Sequence, residues 1–362
     1  MRTHRIAVIR GDGIGPELVD AALQVLDAVA AGRDYRFETV EVDAGADTYR
    51  RTGTACSAEA LELIRSDVAG TLKGPVGLPQ VRRPDGTEAG LLGGILRTGL
   101  DAYANVRPVR LLAGTTSSLG LRAGEIDYVI VRENTEGLYA SRGKGVGNAW
   151  AMADTSITTR EATLRVCRRA FELAHRRNSA PSDGTRRVTC VDKSNVLRTY
   201  ALFRDIFHEV AQEYPDVETE VLYADAAAQA LVLRPGDFDV LVMENFLGDI
   251  LSDLGGATIG GIAFCPSGNI GDEHAYFEPI HGSAPGVAGR DLANPIGQVL
   301  AAGMLLDHLG HPDDARRVTA AVEAALASGA VQVAGDGTVT GGATAAADAF
   351  VAALRNTPEV SS

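Results

Sequence analysis

"RIAVIRGDGIGPELVDAALQVLDAVAA", residues 5–31, joins a short apolar run, a glycine turn and a long stretch with apolar residues at helical spacing. The run "RIAVIR" reads as a buried strand. The "GDGIGPE" turn ends it, and Pro16 suits a first helical turn, where its missing N–H is no loss. Leu18, Ala22, Val25, Leu26 and Val29 then fall on one helical face. A strand, a tight turn and an amphipathic helix form the repeating unit of an α/β fold.

The alternation continues along the chain. "YRFETVEVD" (35–43) alternates like a strand, and "SAEALELIRSD" (57–67) predicts a helix with Ser57 as N-cap. Residues 74–97 are rich in glycine and proline, which predicts a loop running into a helix. "IDYVIVREN" (126–134) and "RVTCVDKSN" (187–195) read as strands ending in polar clusters, with an amphipathic helix at 159–177 between them. "FDVLVMEN" (238–245) predicts another buried strand, followed by a helix from Phe246 that dissolves into glycines at 255–261. Residues 265–297 read as a long loop, and an alanine-rich helical tail follows. The pattern predicts a largely parallel sheet.

The chain has 362 residues, enough for two domains or one large one. With 45% hydrophobic and 22% charged residues it is an ordinary soluble globular protein. Its net charge, 34 − 47 = −13, argues against binding nucleic acid or an anionic membrane through bulk electrostatics. An acidic substrate would need locally concentrated arginines. Cys56, Cys167, Cys190 and Cys265 lie far apart with no C-x-x-C pair, which suits neither a zinc site nor a disulfide framework and fits a reducing cytoplasm. No apolar run is long enough for a membrane helix.

Several residues carry chemistry. The "GDGIGPE" spacing is G-x-G-x-G, not the dinucleotide fingerprint, and no lysine follows to make a phosphate-binding P-loop. Arg97, Arg107 and Arg132 sit at element junctions among apolar neighbours, where guanidinium groups serve as carboxylate clamps. Lys193 follows an apolar strand, next to Asp192 and near Asn195; partly buried, a lysine can act as a base. Tyr139 is either a packing aromatic or a proton donor. Asp225 stands at a strand-to-helix junction, where capping and metal ligation are both open. Asp249 and Asp253, four apart on a helix, stack two carboxylates on one face, a solvated edge or half of a metal site. His281-Gly282-Ser283-Ala284-Pro285 offers backbone donors and an imidazole suited to a nucleotide.

Six stretches, "IRGDGIGPE", "LDAYANVRP", "VRENTEGLYA", "DKSNVL", "GDILSD" and "EPIHGSAP…AGRDLANP", occur in an order that resembles the β-decarboxylating dehydrogenases of isocitrate, homoisocitrate, 3-isopropylmalate and tartrate. The resemblance runs from residue 9 to about 298. It implies two α/β domains with the active site in the cleft between them: residues 1–101 with 253–362 as the cofactor-binding domain, and 102–252 as a smaller domain carrying a homodimer interface. It implies a Mg²⁺ or Mn²⁺ held by Asp249, Asp253 and Asp225, the last from the partner subunit. Arg97, Arg107 and Arg132 would grip the carboxylates of a hydroxy diacid, with Tyr139 as acid. Lys193 as base and Asn195 would cross from the second subunit. A nicotinamide cofactor would lie against Ile14 and the loop of His281, Gly282, Ser283, Ala284, Pro285, Gly286, Val287 and Asn294.

The helix before Arg97 reads the C3 substituent in such enzymes. Here it reads "GLLGGIL" (90–96), and the positions matching the family's selective residues are Leu91, Gly93 and Gly94. That wall is apolar and roomy, and a substrate carboxylate buried unpaired against it would be costly. The expectation leans to 3-isopropylmalate or another unusual substituent, whereas "RENTEGLYA" and "RPVRL" stand closer to the homoisocitrate and tartrate branches. Gly286 replaces the aspartate of NAD-dependent members, and Gly286 and Val287 replace the lysine and tyrosine of NADP-dependent isocitrate enzymes. NAD is favoured, with NADP as the alternative.

Overall fold

Ile6 to Ile9 are fully buried, as befits an inner strand covered on both faces. The computed structural model describes residues 1–84 and 86–356, so residues 357–362 of the expected cofactor domain lie outside it. The first half contains β1 (Arg2–Ile9), α1 (Gly15–Ala30), β2 (Tyr35–Glu41), α2 (Ala46–Thr52), α3 (Ala58–Ser66), β3 (Thr71–Lys73), α4 (Gly93–Gly99), β4 (Ala104–Arg110), β5 (Asp127–Glu133), β6 (Val146–Gly147), β7 (Met152–Ala153) and α5 (Arg160–Arg176). The second contains β8 (Arg187–Asp192), α6 (Arg198–Ala211), β9 (Glu218–Tyr223), α7 (Ala224–Leu233), β10 (Val240–Met243), α8 (Asn245–Thr258), β11 (Pro266–Ile270), β12 (Ala275–Pro279), α9 (Ile296–His308), α10 (Pro312–Ala327) and α11 (Gly342–Asn356).

Ten strands form one sheet in the order β2-β1-β3-β12-β11-β4-β5-β10-β8-β9. Both wings pair in parallel, but β11 runs antiparallel to β12 and β4, and β4 antiparallel to β5. The parallel expectation therefore holds for the wings and not for the middle. Register across the middle places Asn269 opposite Asn105, and Asn105 opposite Arg132. The largest apolar cluster runs from β5, β8 and β10 under α5 and α6 across to α1, α9 and α10. No helix among the described residues is long and apolar enough to cross a membrane.

Local signals explain the helix starts. The Ser57 Oγ accepts from the amide of Ala60 at 3.1 Å, capping α3. Glu244 caps α8, accepting from the amides of Phe246 and Leu247 at 3.0 and 3.3 Å. Two sequence expectations need correction. Helix α8 does not dissolve at Gly255 but continues to Thr258. A methyl at Gly255 would stand 2.6 Å from the Tyr128 hydroxyl, so the glycines let α8 lie against β4 and β5. Residues 265–297 are also not one long loop. They supply β11, β12 and the start of α9, strands whose partners lie far away in sequence.

Candidate active site

Arg132, the last residue but one of β5, is 1% exposed, and β4 brings the buried Arg107 alongside. Helix α8 starts beyond β10 and turns Asn245, Asp249, Ser252 and Asp253 toward both arginines. Arg132 donates from Nε and Nη2 to the Asn245 Oδ1 at 3.1 and 2.7 Å, and its Nη1 pairs with the Asp249 Oδ1. Arg107 donates to the Ser252 Oγ at 2.6 Å and to the Asn105 Oδ1. Its Nη2 lies 3.3 Å from Asp249 and its Nη1 3.8 Å from Asp253. The close approach of α8 depends on Gly248, where a Cβ would meet the Arg132 Cβ at 2.6 Å.

Tyr139 follows in a short 3-10 turn, Leu138–Ser141, and its hydroxyl donates to the Asp249 Oδ2 at 2.7 Å. The Arg132 guanidinium lies 5.4 Å from the centre of the Tyr139 ring. Arg97, the last-turn residue of α4, is half-buried beside Tyr276 and Glu278, and its Nε has no hydrogen-bond partner among the described residues. Six expected residues, Arg97, Arg107, Arg132, Tyr139, Asp249 and Asp253, thus gather in one place.

Electrostatics there follow from crowding. Burial and repulsion from Arg97 and Arg107 push the Arg132 pKa down to about 9, and the pairing with Asp249 works against that fall, so this cation is still charged at neutral pH. Burial alone would raise the Asp249 pKa, but Arg132 and Arg107 hold it below the ordinary aspartate value. Asp253 goes the other way, raised chiefly by burial. The Tyr139 pKa is raised by burial and by its hydrogen bond to Asp249, which keeps its proton in place.

Lys193, Asn195 and Asp225 gather elsewhere, at the carboxyl ends of β8 and β9. The Lys193 Nζ pairs with the Asp225 Oδ1 and lies 5.8 Å from the Tyr223 ring centre, while Asn195 is exposed. Lys193 holds the Asp225 carboxyl below its ordinary pKa. Among the described residues of this chain, no group of three or more His, Cys, Asp or Glu is placed to hold a metal. Asp249 and Asp253, stacked hard oxygen donors, fit half of a Mg²⁺ or Mn²⁺ site.

The glycine turn and the 281–294 loop come together. The amide of Ile14 donates to the Ser283 carbonyl at 2.8 Å, and Val287 packs against the apolar cluster that contains Ile14. Gly282, Ala284, Pro285 and Gly286 are exposed, and Ala284 holds a positive φ of 37°. The His281 Nε2 is buried without a partner among the described residues, and burial lowers the imidazole pKa, leaving a neutral ring. Exposed backbone beside an unpartnered imidazole nitrogen fits a nucleotide. Asn294 is occupied within the fold, donating to the Gly337 carbonyl at 3.0 Å and accepting from the Ile296 amide.

Gly93 and Gly94 open α4, where a Cβ on Gly93 would lie 3.7 Å from the Arg97 Nε; Leu91 precedes the helix and its side chain lies toward Gly77. Sequence reasoning missed Asn245, Ser252 and Asn105, which orient the arginines. Only their neighbourhood in "MENF", "ILSD" and "YANVRP" pointed to them. It also missed the buried Lys73–Glu278 pair beside Arg97, which Asn269 joins by donating to Glu278 at 3.1 Å.

The chain is similar to known proteins over nearly its whole length. Residues 5–345 match the family described as isocitrate/isopropylmalate dehydrogenase. A 3-isopropylmalate/3-methylmalate dehydrogenase of Methanocaldococcus jannaschii is 43% identical, covering 90% of this chain and 92% of its own. An isocitrate/homoisocitrate dehydrogenase of Thermus thermophilus is 42% identical with the same coverage. The crystal structure of isocitrate dehydrogenase from Methylococcus capsulatus superposes with a TM-score of 0.85 at 37% identity, covering 97% of this chain and 99% of that one.

Proposed function

Because the chain belongs to the isocitrate/isopropylmalate dehydrogenase family and is a β-decarboxylating dehydrogenase, we propose that it converts a 3-substituted malate to a 2-keto acid and CO2 while reducing NAD. One observation carries the reading: three convergent arginines, Arg97, Arg107 and Arg132, surround a carboxylate pair and a protonated tyrosine. When bound, Mg²⁺ or Mn²⁺ would supply Lewis acidity at the C2 oxygen, and the nicotinamide a hydride acceptor. Asp249 and Asp253 would hold the cation, with Asp225 of a second copy.

The chain's own groups do the rest. Arg97, Arg107 and Arg132 bind the substrate carboxylates and fix C2 and C3 in place. Lys193 of the second copy takes the C2 hydroxyl proton, with Asn195 beside it. Tyr139, its proton held by the raised pKa, delivers that proton to C3 after CO2 leaves. Ile14 and the loop from His281 to Asn294 would hold the cofactor. Residues 1–101 with 253–356 form one side of the cleft and 102–252 the other.

Exposed apolar side chains support the dimer. Trp150 is 95% exposed on the β6–β7 hairpin, with Val146 and Met152 beside it, and Leu233 at the end of α7 is 72% exposed. Such groups seek a partner surface. For the substrate, the α4 wall of Leu91, Gly93 and Gly94 supports a lean to 3-isopropylmalate, as does the likeness to enzymes named for it. The test is nicotinamide reduction with 3-isopropylmalate, isocitrate, homoisocitrate, malate and tartrate, with and without Mn²⁺. Turnover that is indifferent to a chelator would reject the reading.

A further inference from the structure

A charged group faces the apolar α4 wall. The wall's two glycines, Gly93 and Gly94, have no positive φ, so the backbone does not require them. In a first helical turn they weaken the helix, and what they provide is room. Gly93 opens toward Arg97, whereas a Cβ on Gly94 would lie 3.4 Å from the Nη1 of Arg142.

Arg142 comes from the other side of the site. It follows the turn that carries Tyr139, its amide donates to the Tyr139 carbonyl at 3.2 Å, and its guanidinium lies 5.7 Å from the Tyr139 ring centre. The same ring hydroxyl touches Asp249. Arg142 thus spans the gap between the acid of the site and the helix that faces C3. Among the described residues no carboxylate is paired with it, and two of the charges bearing on it, Arg97 and Arg83, repel it. A planar guanidinium in that setting is built to receive an anion, and carboxylate geometry matches its fork.

We propose that Arg142 is a specificity-determining residue that grips a terminal carboxylate on the C3 substituent of the malate, extending the substrate range from alkyl to acidic substituents. The inference rests on the function proposed above and deepens it. Arg142 is exposed, so it can turn to solvent when the substituent is an alkyl group.

The test compares kcat and KM for 3-isopropylmalate, isocitrate and homoisocitrate in the full-length enzyme, in Arg142→Ala and in Arg142→Lys. In Arg142→Ala, kcat/KM for the two tricarboxylic acids should fall relative to that for 3-isopropylmalate by roughly 10- to 100-fold, the range of one charge-assisted hydrogen bond. The loss should appear mainly in KM, and lysine should restore part of it. An unchanged ratio overturns the proposal. A wild-type enzyme that oxidises 3-isopropylmalate and neither tricarboxylic acid also overturns it, leaving the function reading intact. A wild-type enzyme inert on all three with Mn²⁺ and either nicotinamide overturns the function reading itself.

Discussion

The hydroxyl of Tyr139 lies 2.7 Å from the Oδ2 of Asp249, whose Oδ1 faces Arg132. One carboxylate therefore touches both the tyrosine proposed as the acid and the most buried arginine of the site, and the same carboxylate is proposed to hold the cation. Asp249→Asn keeps the shape and removes the charge. Turnover should drop by roughly 10²- to 10⁴-fold, the worth of several kcal/mol of transition-state stabilisation. Mn²⁺ binding should weaken with it while the far-UV circular dichroism stays the same. Wild-type turnover in this variant would remove Asp249 from the mechanism.

Lys193 and Tyr139 sit in separate clusters of the same chain. If they meet only across a dimer, two dead variants should rescue each other. Tyr139→Phe and Lys193→Met are each expected to be inactive alone. Denatured together in equal amounts and refolded, they should regain about a quarter of wild-type activity, since half the dimers are mixed and each of those has one intact site. No recovery from well-formed mixed dimers would mean that Lys193 acts within its own chain.

Gly248 touches the stem of Arg132. Gly248→Ala places a methyl where the Arg132 Cβ and Cγ already are, and overpacking of this kind costs about 1–3 kcal/mol. Chemical denaturation should show that loss, and KM should rise as Arg132 is displaced. A variant as stable and as active as the parent would contradict the tight α8–β5 contact.

Away from the site, Asp314 accepts from the Tyr35 hydroxyl at 2.7 Å and pairs with Arg33 and Arg317 at 3.0 and 2.9 Å. Burial pushes its carboxyl up, yet these partners hold it below the ordinary aspartate value. A depressed folded pKa stabilises above the unfolded value, and that stability is lost as pH falls through the folded one. Asp314→Ala should cost about 1–3 kcal/mol at neutral pH by removing the acceptor of the buried Tyr35 hydroxyl. Its stability should also fall less than the parent's on acidification below the ordinary aspartate range. Parallel stability–pH curves would refute the linkage.

What the sequence disclosed was local. The strand, turn and helix of residues 5–31 follow from spacing alone, and Ser57 and Pro16 marked helix starts through capping and ring geometry. The stacking of Asp249 and Asp253 needed only helical periodicity. The continuation of α8 through Gly255 was hidden because it depends on the approach of Tyr128, more than a hundred residues earlier. Strands β11 and β12 were hidden because "PSGNI" has little apolar pattern and is held by Asn269 and Ser267, which Asn105 bridges. Nothing in the residues around Arg142 marks it, and only tertiary structure brings it to Gly94.

Cys56, Cys167, Cys190 and Cys265 are all free and buried, and burial raises the pKa of each. A thiol reagent attacks the thiolate and needs access to it. The native chain should therefore ignore such reagents until a segment opens. Cys167 on α5 and Cys190 on β8 lie close together, Cys56 precedes α3 and Cys265 precedes β11, so the order in which they are labelled maps which of these three regions loosens first, without any engineered probe.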